Sequence, residues 1–410
     1  MTKASKERKR RRLAAARQAA TRAMQQASFI TIGQQELHKL QSKSYEPSIN
    51  DANGRARRIV EQLIMATPGP ADVDRALLEA VSAVAAEKGV GVGGLPYQDK
   101  ASHDMLTAFV AQIEASCHRA RLEPLPATVI GTIHDASMNA FAASFFGSTA
   151  VVGVHIGAFI FSHLLAKAVA ALISRRDKNG YVRIGSHPGD PQFLPASKRL
   201  AELAVAFALD GNVGTAPPYI CKDKALINVA GALRNGFEFF LVAHEYGHLM
   251  IDHGRLPAFE DTQAAGLSHE QGLELGADLF AMGAALWAES AARMVPLVLS
   301  PMVLMKFLSM LEKDGIRQEP TTHPPSALRL EAMRMFLRPL GSDNDSRQWI
   351  AGILRVSEKI DRLLEKAWTR NLDAVKAEQQ RRVVMGGVAN DESGAVASHS
   401  MDSMATGDAE

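Results

Sequence analysis

One run in the sequence has residue types and spacing suited to hydrolytic chemistry: His244, Glu245, Tyr246, Gly247 and His248. On a helix, residues four apart share a face, so both imidazoles can point at a single ion. Glu245 follows His244 directly and sits beside that ion, where a carboxylate can take a proton from an activated water. The preceding Phe237, Phe239, Phe240, Leu241, Val242 and Ala243 make the helix apolar on every side. A buried helix presenting two histidines and a glutamate needs something to satisfy them, because unpaired polar groups in a core are costly.

Two histidines do not complete a catalytic metal site, which takes three protein ligands and keeps one position open. A histidine six residues after the second would serve, but Gly254 stands there, and His253 faces away by helical count. The better candidate is Glu274, in the run Glu274, Leu275, Gly276, Ala277, Asp278. Glu274 and Asp278 are four apart and share a face, and the small Gly276 and Ala277 allow a second helix to pack close to the first. Glu270 and His269 are the alternatives. Asp278 is expected behind a ligand histidine, accepting its other ring N–H.

The elements that must hold these residues follow from periodicity. A long helix from about 227 to 252 carries the histidines, and Gly254 is placed to end it. Ser268 and Gln271 form a capping box that starts the next helix, which runs through Trp287. Upstream, Thr128, Val129 and Ile130 predict a strand, residues 149–154 another, and 158–174 a helix. Further helices are expected near 197–209, near 302–313 and over 346–382.

The expected organisation is a basic arm at 1–27, a helical region at 28–123, a central domain at 124–340, an amphipathic helix at 341–384 and a disordered tail at 385–410. The central domain carries a loop-rich insertion at 176–222, with eight residues of Gly or Pro from 180 to 214 and then Pro217 and Pro218. The fold class predicted is α+β and predominantly helical, with a short, mostly antiparallel sheet over the helix bearing the histidines.

Composition narrows the function. Lys plus Arg number 46 and Asp plus Glu 44, a near balance that argues against a surface built for nucleic acid. Cys117 and Cys221 lie far apart and give no disulfide framework, and no signal peptide is visible, so a cytoplasmic protein is expected. The apolar stretches 150–173 and 294–311 are interrupted by His155, His163, Lys167, Pro296, Pro301 and Lys306, and are read as buried core rather than membrane spans.

The pairing of His-Glu-x-x-His at 244–248 with Glu-x-x-Ala-Asp at 274–278 resembles the gluzincin metallopeptidases that include the HtpX-type heat-shock proteases and the CAAX prenyl proteases. Asn139, Ala140, Phe141 and Ala142 resemble that family's edge strand. Thr322, His323, Pro324 and Pro325, with Arg329 four residues on, resemble its downstream segment. The resemblance covers roughly 125–335. It implies a zincin-type core, one Zn2+ per chain held by His244, His248 and Glu274, and Glu245 as general base in hydrolysis of a protein or peptide substrate. It further implies His323 as a stabiliser of developing charge, Arg329 in support of the site, and Asn139 near the substrate backbone. The long insertion at 176–222 and the lack of the membrane helices of several relatives depart from the pattern. Two rivals are a zincin-type regulatory protein acting on a repressor or a nucleic-acid-bound partner, suggested by the basic run at 6–12, and an inactive scaffold that keeps the metal.

Overall fold

A computed structural model describes residues 33–42 and 100–389, apart from short stretches at 126–127, 134, 146–148, 177–181, 186–188, 218, 220, 222, 258–265, 288–290, 319–321 and 341–342. The expected arm at 1–27 and residues 28–32 and 43–99 of the expected helical region at 28–123 lie outside the described residues, as does the tail from 390.

In chain order the elements are α1 (33–42), α2 (Lys100–Arg119), β1 (Thr128–Ile133), β2 (Ala140–Phe145), β3 (Thr149–His155), α3 (Ile156–Ile173), β4 (Ser174–Arg176), β5 (Val182–Ile184), α4 (Phe193–Ala208), α5 (Lys224–Asp252), α6 (His269–Leu286), α7 (Ala291–Lys313), α8 (Ser326–Leu337) and α9 (Asn344–Ala389). The architecture is α+β and mostly helical, as the periodicity predicts.

The main sheet has three strands in the order β1-β3-β2. β2 pairs antiparallel with β3 and forms an edge, but β1 pairs parallel with β3, so the sheet is mixed rather than mostly antiparallel. Strand alternation sorts its two faces. Ile130, Ala150, Val152 and Val154 enter the main core, while Val129, Ile133 and Val151 pack with Leu37 of α1 on the other side. Phe141 lies so close over Gly153 that a Cβ there would sit 2.2 Å from its ring.

α5 is the central helix. It packs against α3, α6 and α7, and also touches the sheet. Asp223 caps its start by accepting from Ala225 N–H, and Gly254 follows its end with φ +64°, a backbone that glycine adopts without strain.

Two expectations are revised. α7 begins at Ala291 and runs through Pro296 and Pro301, where the prolines predicted a later start. Pro removes one helical hydrogen bond and crowds the preceding turn. Here the same turn is the contact with α5: a Cβ on Gly236 would sit 2.6 Å from the Pro296 carbonyl oxygen, and Ser300 Oγ donates to the Leu233 carbonyl at 3.0 Å. Within 176–222 the helix expected near 197–209 is present as the sixteen-residue α4, whose Phe193, Ala196, Leu200, Leu203 and Ala204 are buried against α3 and α9, and the short β5 precedes it. The C-terminal helix is longer than predicted, reaching Ala389.

One hydrophobic core runs from Leu106 of α2 to Val375 of α9. By length and composition Ile156–Ile173, Lys224–Asp252 and Met294–Lys313 could each cross a membrane; in this fold 67%, 44% and 72% of their apolar windows are buried.

Candidate metal centre

The crossing of α5 and α6 builds the centre. At the contact, a Cβ on Gly247 would lie 2.9 Å from Ala277 Cα, so glycine permits the approach. On either side of this contact the helices present His244 and His248, and Glu274 and Asp278. The rotation of α6 is fixed at its start: Ser268 Oγ accepts from Gln271 N–H and the Gln271 side chain returns to Ser268 N–H, the predicted capping box.

His244, His248 and Glu274 form the one cluster among the described residues with the spacing to hold a metal ion. His244 Nε2 lies 3.1 Å from His248 Nε2 and 3.2 Å from Glu274 Oε2, and His248 Nε2 lies 3.3 Å from Glu274 Oε1. The two histidine nitrogens stand at about the 3.3 Å that separates ligand atoms of a tetrahedral ion bonded at about 2.0–2.1 Å, and each is as close to a different oxygen of the Glu274 carboxylate. Three ligands on one side leave a fourth position open. Glu274 Oε2 is buried and makes no well-directed hydrogen bond within the protein, as expected of an atom whose partner is an ion. The residues therefore fit a divalent metal.

Behind this cluster lies a buried chain of partners. His244 Nδ1 is 2.9 Å from Asp278 Oδ1, which directs Nε2 toward the cluster. Asp278 is fully buried and accepts two hydrogen bonds from Arg329, Nε to Oδ2 and Nη2 to Oδ1, both at 2.7 Å. Arg329 comes from α8, whose first turn is anchored by Glu312 of α7: Ser326 N–H and Oγ donate to the Glu312 carboxylate at 2.8 and 2.6 Å.

Electrostatics follow from this arrangement. Burial opposes a charge on His244, but the carboxylates of Asp278 and Glu274 outweigh it and raise the imidazole to about 10 without metal. Burial would raise Glu274 and Asp278 as well; the histidines beside Glu274 and the Arg329 guanidinium beside Asp278 prevail and hold both well below the usual carboxylate range. Glu245 is half-buried, and desolvation lifts its carboxyl above the ordinary value despite the two imidazoles nearby. A raised carboxyl next to an ion site is suited to exchanging protons.

His323 joins the cluster from the loop before α8. Its Nε2 is 3.2 Å from Glu274 Oε2, its Nδ1 is 2.9 Å from Thr322 Oγ1, and its side chain is 41% exposed. Burial lowers its pKa, with the negative Glu274 acting the other way. Asn139 has local contacts: it precedes β2, and its Oδ1 accepts from Ala140 N–H. The alternatives to Glu274 are not in the cluster, since Glu270 is exposed and bonded to Ser268 Oγ, and His269 is exposed. His253 faces away, with Nε2 3.2 Å from Ser144 Oγ on the edge strand.

Sequence reasoning missed three contributors. Tyr246 is fully buried, and its hydroxyl accepts from Leu125 N–H at 2.9 Å, tying α5 to the segment entering β1. Glu312 and Ser326 fix the helix that delivers Arg329. A serine straight after Pro325 was the available signal for Ser326; nothing local marks Glu312.

Comparison with protein-family models, characterised proteins and solved structures gave no match, so the chemistry of this centre rests on its own geometry.

Proposed function

We propose that the chain is a zinc-dependent metallopeptidase with a zincin-type core. The observation that carries this reading is the approach of His244 Nε2 and His248 Nε2 to each other and to the Glu274 carboxylate, with Glu245 on the adjoining helical position. A zinc ion held there would supply a Lewis acid that polarises a scissile carbonyl and acidifies water. Glu245 takes the proton of the attacking water and then gives it to the leaving nitrogen. His323, partly exposed at the rim, donates a hydrogen bond to the developing oxyanion. Asp278 keeps His244 in the tautomer that presents Nε2, and Arg329 keeps Asp278 ionised.

The substrate is a protein or peptide in extended form. Ala140 and Ala142 pack on the main core, and Ser144 bonds His253 just past the end of α5. β2 packs on α5 and forms an edge of the sheet. That edge accepts an added strand, and Asn139, next to β2, contacts its backbone.

The test is metal analysis of purified protein with a casein or peptide-library digest. About one zinc per chain is expected, with Glu245→Gln keeping the metal and losing on the order of 10²–10⁴-fold in activity. Full metal retention in both His244→Ala and His248→Ala, or near wild-type activity in Glu245→Gln, would refute the assignment.

A further inference from the structure

We propose that the apolar cavity between α2, the end of α5 and α6 binds a fatty-acid-like amphiphile, its single apolar chain inside and its carboxylate at the arginines of the rim. The cavity measures about 540 Å³, within the roughly 300–1,000 Å³ of ordinary ligand sites. Leu122, Ile251, Leu279, Phe280, Trp287 and Phe336 supply most of its wall, and Trp287 stands half-exposed beside it.

The wall offers almost nothing to a polar group. Ser116 already donates through Oγ to the Ala284 carbonyl at 3.0 Å. Cys117 is buried, and desolvation pushes its thiol up to about 11, so it stays neutral. A polar group in the interior would lose its water without replacement. A hydrocarbon chain loses nothing and restores the packing contacts that a void forfeits.

The rim is different. Arg119 and Arg121 are exposed and flank the wall residue Ala120, and Arg255 precedes the wall residue Leu256. Among the described residues Arg255 is held by Glu123 at 2.9 Å, Arg119 reaches Ser116 Oγ at 3.4 Å, and neither Arg119 nor Arg121 has a carboxylate partner. Two cations of the rim are therefore unpaired. Arg121 adds an independent sign. Among the described residues it is the one non-glycine with positive φ, at 58°, where α2 ends and glycine is the usual occupant. Backbone outliers of this kind cluster at ligand sites.

No ligand of the metal cluster lines the cavity, so the proposal stands apart from the peptidase reading. Titration calorimetry on the full chain, zinc-loaded and chelator-treated, with saturated fatty acids of increasing length below their micelle concentrations, tests it. One-to-one binding is expected in both states, tightening about fourfold per added methylene until the cavity is full. The alcohol of equal length should bind about two- to fivefold more weakly, as loss of an exposed charge pair implies. Arg119→Ala combined with Arg121→Gly should bring the acid to the alcohol's affinity and leave the alcohol unchanged. Gly283→Leu should abolish binding: a Cβ there meets the Phe336 ring at an ordinary 3.9 Å, so the new side chain fills the cavity without a clash at its root. Non-saturable binding, no dependence on chain length in the unaltered protein, equal affinity for acid and alcohol, or undiminished binding by folded Gly283→Leu would each overturn the proposal.

Discussion

Asp278 is where the metal centre and the stability of the protein meet. Its carboxylate serves His244 with one oxygen and Arg329 with both, out of contact with solvent. Removing one member of a buried ion pair leaves the other charge uncompensated, at a cost of about 3–5 kcal/mol. Arg329→Ala should therefore destabilise the chain by that order in urea unfolding even without metal. Asp278→Asn keeps the volume and an acceptor oxygen; it should weaken metal binding by about 10–100-fold, while Glu274→Ala, which deletes a direct ligand, should weaken it more. Competition against a chromophoric chelator gives this ranking, and the reverse order would mean that the roles of the two carboxylates are exchanged. The pH dependence of the metal-free protein carries a sign as well. His244 is raised above its ordinary value to about 10, so its contribution to stability is complete below pH 6.5 and is lost as pH climbs toward 10. Glu274 and Asp278 are depressed, so theirs is present above the usual carboxylate range and lost on acidification. Urea midpoints of chelator-treated protein should fall on both sides, and a rise from pH 7 to 10 would contradict the proton placed on His244.

At the scale of elements, the centre depends on how closely and at what rotation α5 and α6 meet. Gly247→Ala puts a methyl 2.9 Å from Ala277 Cα and must push the helices apart. Overpacking of this kind costs about 1–3 kcal/mol, and the separation should also lower metal affinity, which the same chelator competition reads. Tyr246→Phe leaves the Leu125 N–H without its buried acceptor and should cost about 1–3 kcal/mol. Much of this level was legible in the sequence. The four-residue spacing of His244 and His248 encodes a shared face, and the Ser268 and Gln271 cap sets the start of α6. The Glu274 assignment came from the same periodicity strengthened by a family resemblance. What could not be read was pairing across distance. Nothing in local pattern joins Asp278 to Arg329, or Glu312 to Ser326, because each bond depends on how α6, α7 and α8 cross. The prolines of α7 misled for a related reason: the close contact at Gly236 makes a strained turn tolerable, and that contact is visible only once the helices are packed.

Across the whole molecule, one core joins α2 to α9, and the C-terminal helix belongs to it. Ile360, Leu364, Ala367 and Trp368 of α9 are buried against the helices that surround α5, and Trp368 Nε1 donates to Asp314 at 2.6 Å. A chain ending at residue 343 should consequently fail to fold, read as lost cooperative thermal unfolding by circular dichroism. What such a chain would do next follows from the burial of α3, α5 and α7. Each is long and apolar enough to cross a membrane, and each becomes available when its cover is missing. During synthesis, α3 and α5 leave the ribosome before the helices that will enclose them exist, so folding runs in competition with partition into lipid. In this fold α9 is the last helix of that cover to be made. The truncated chain should instead sediment with added liposomes and resist extraction by salt and alkali.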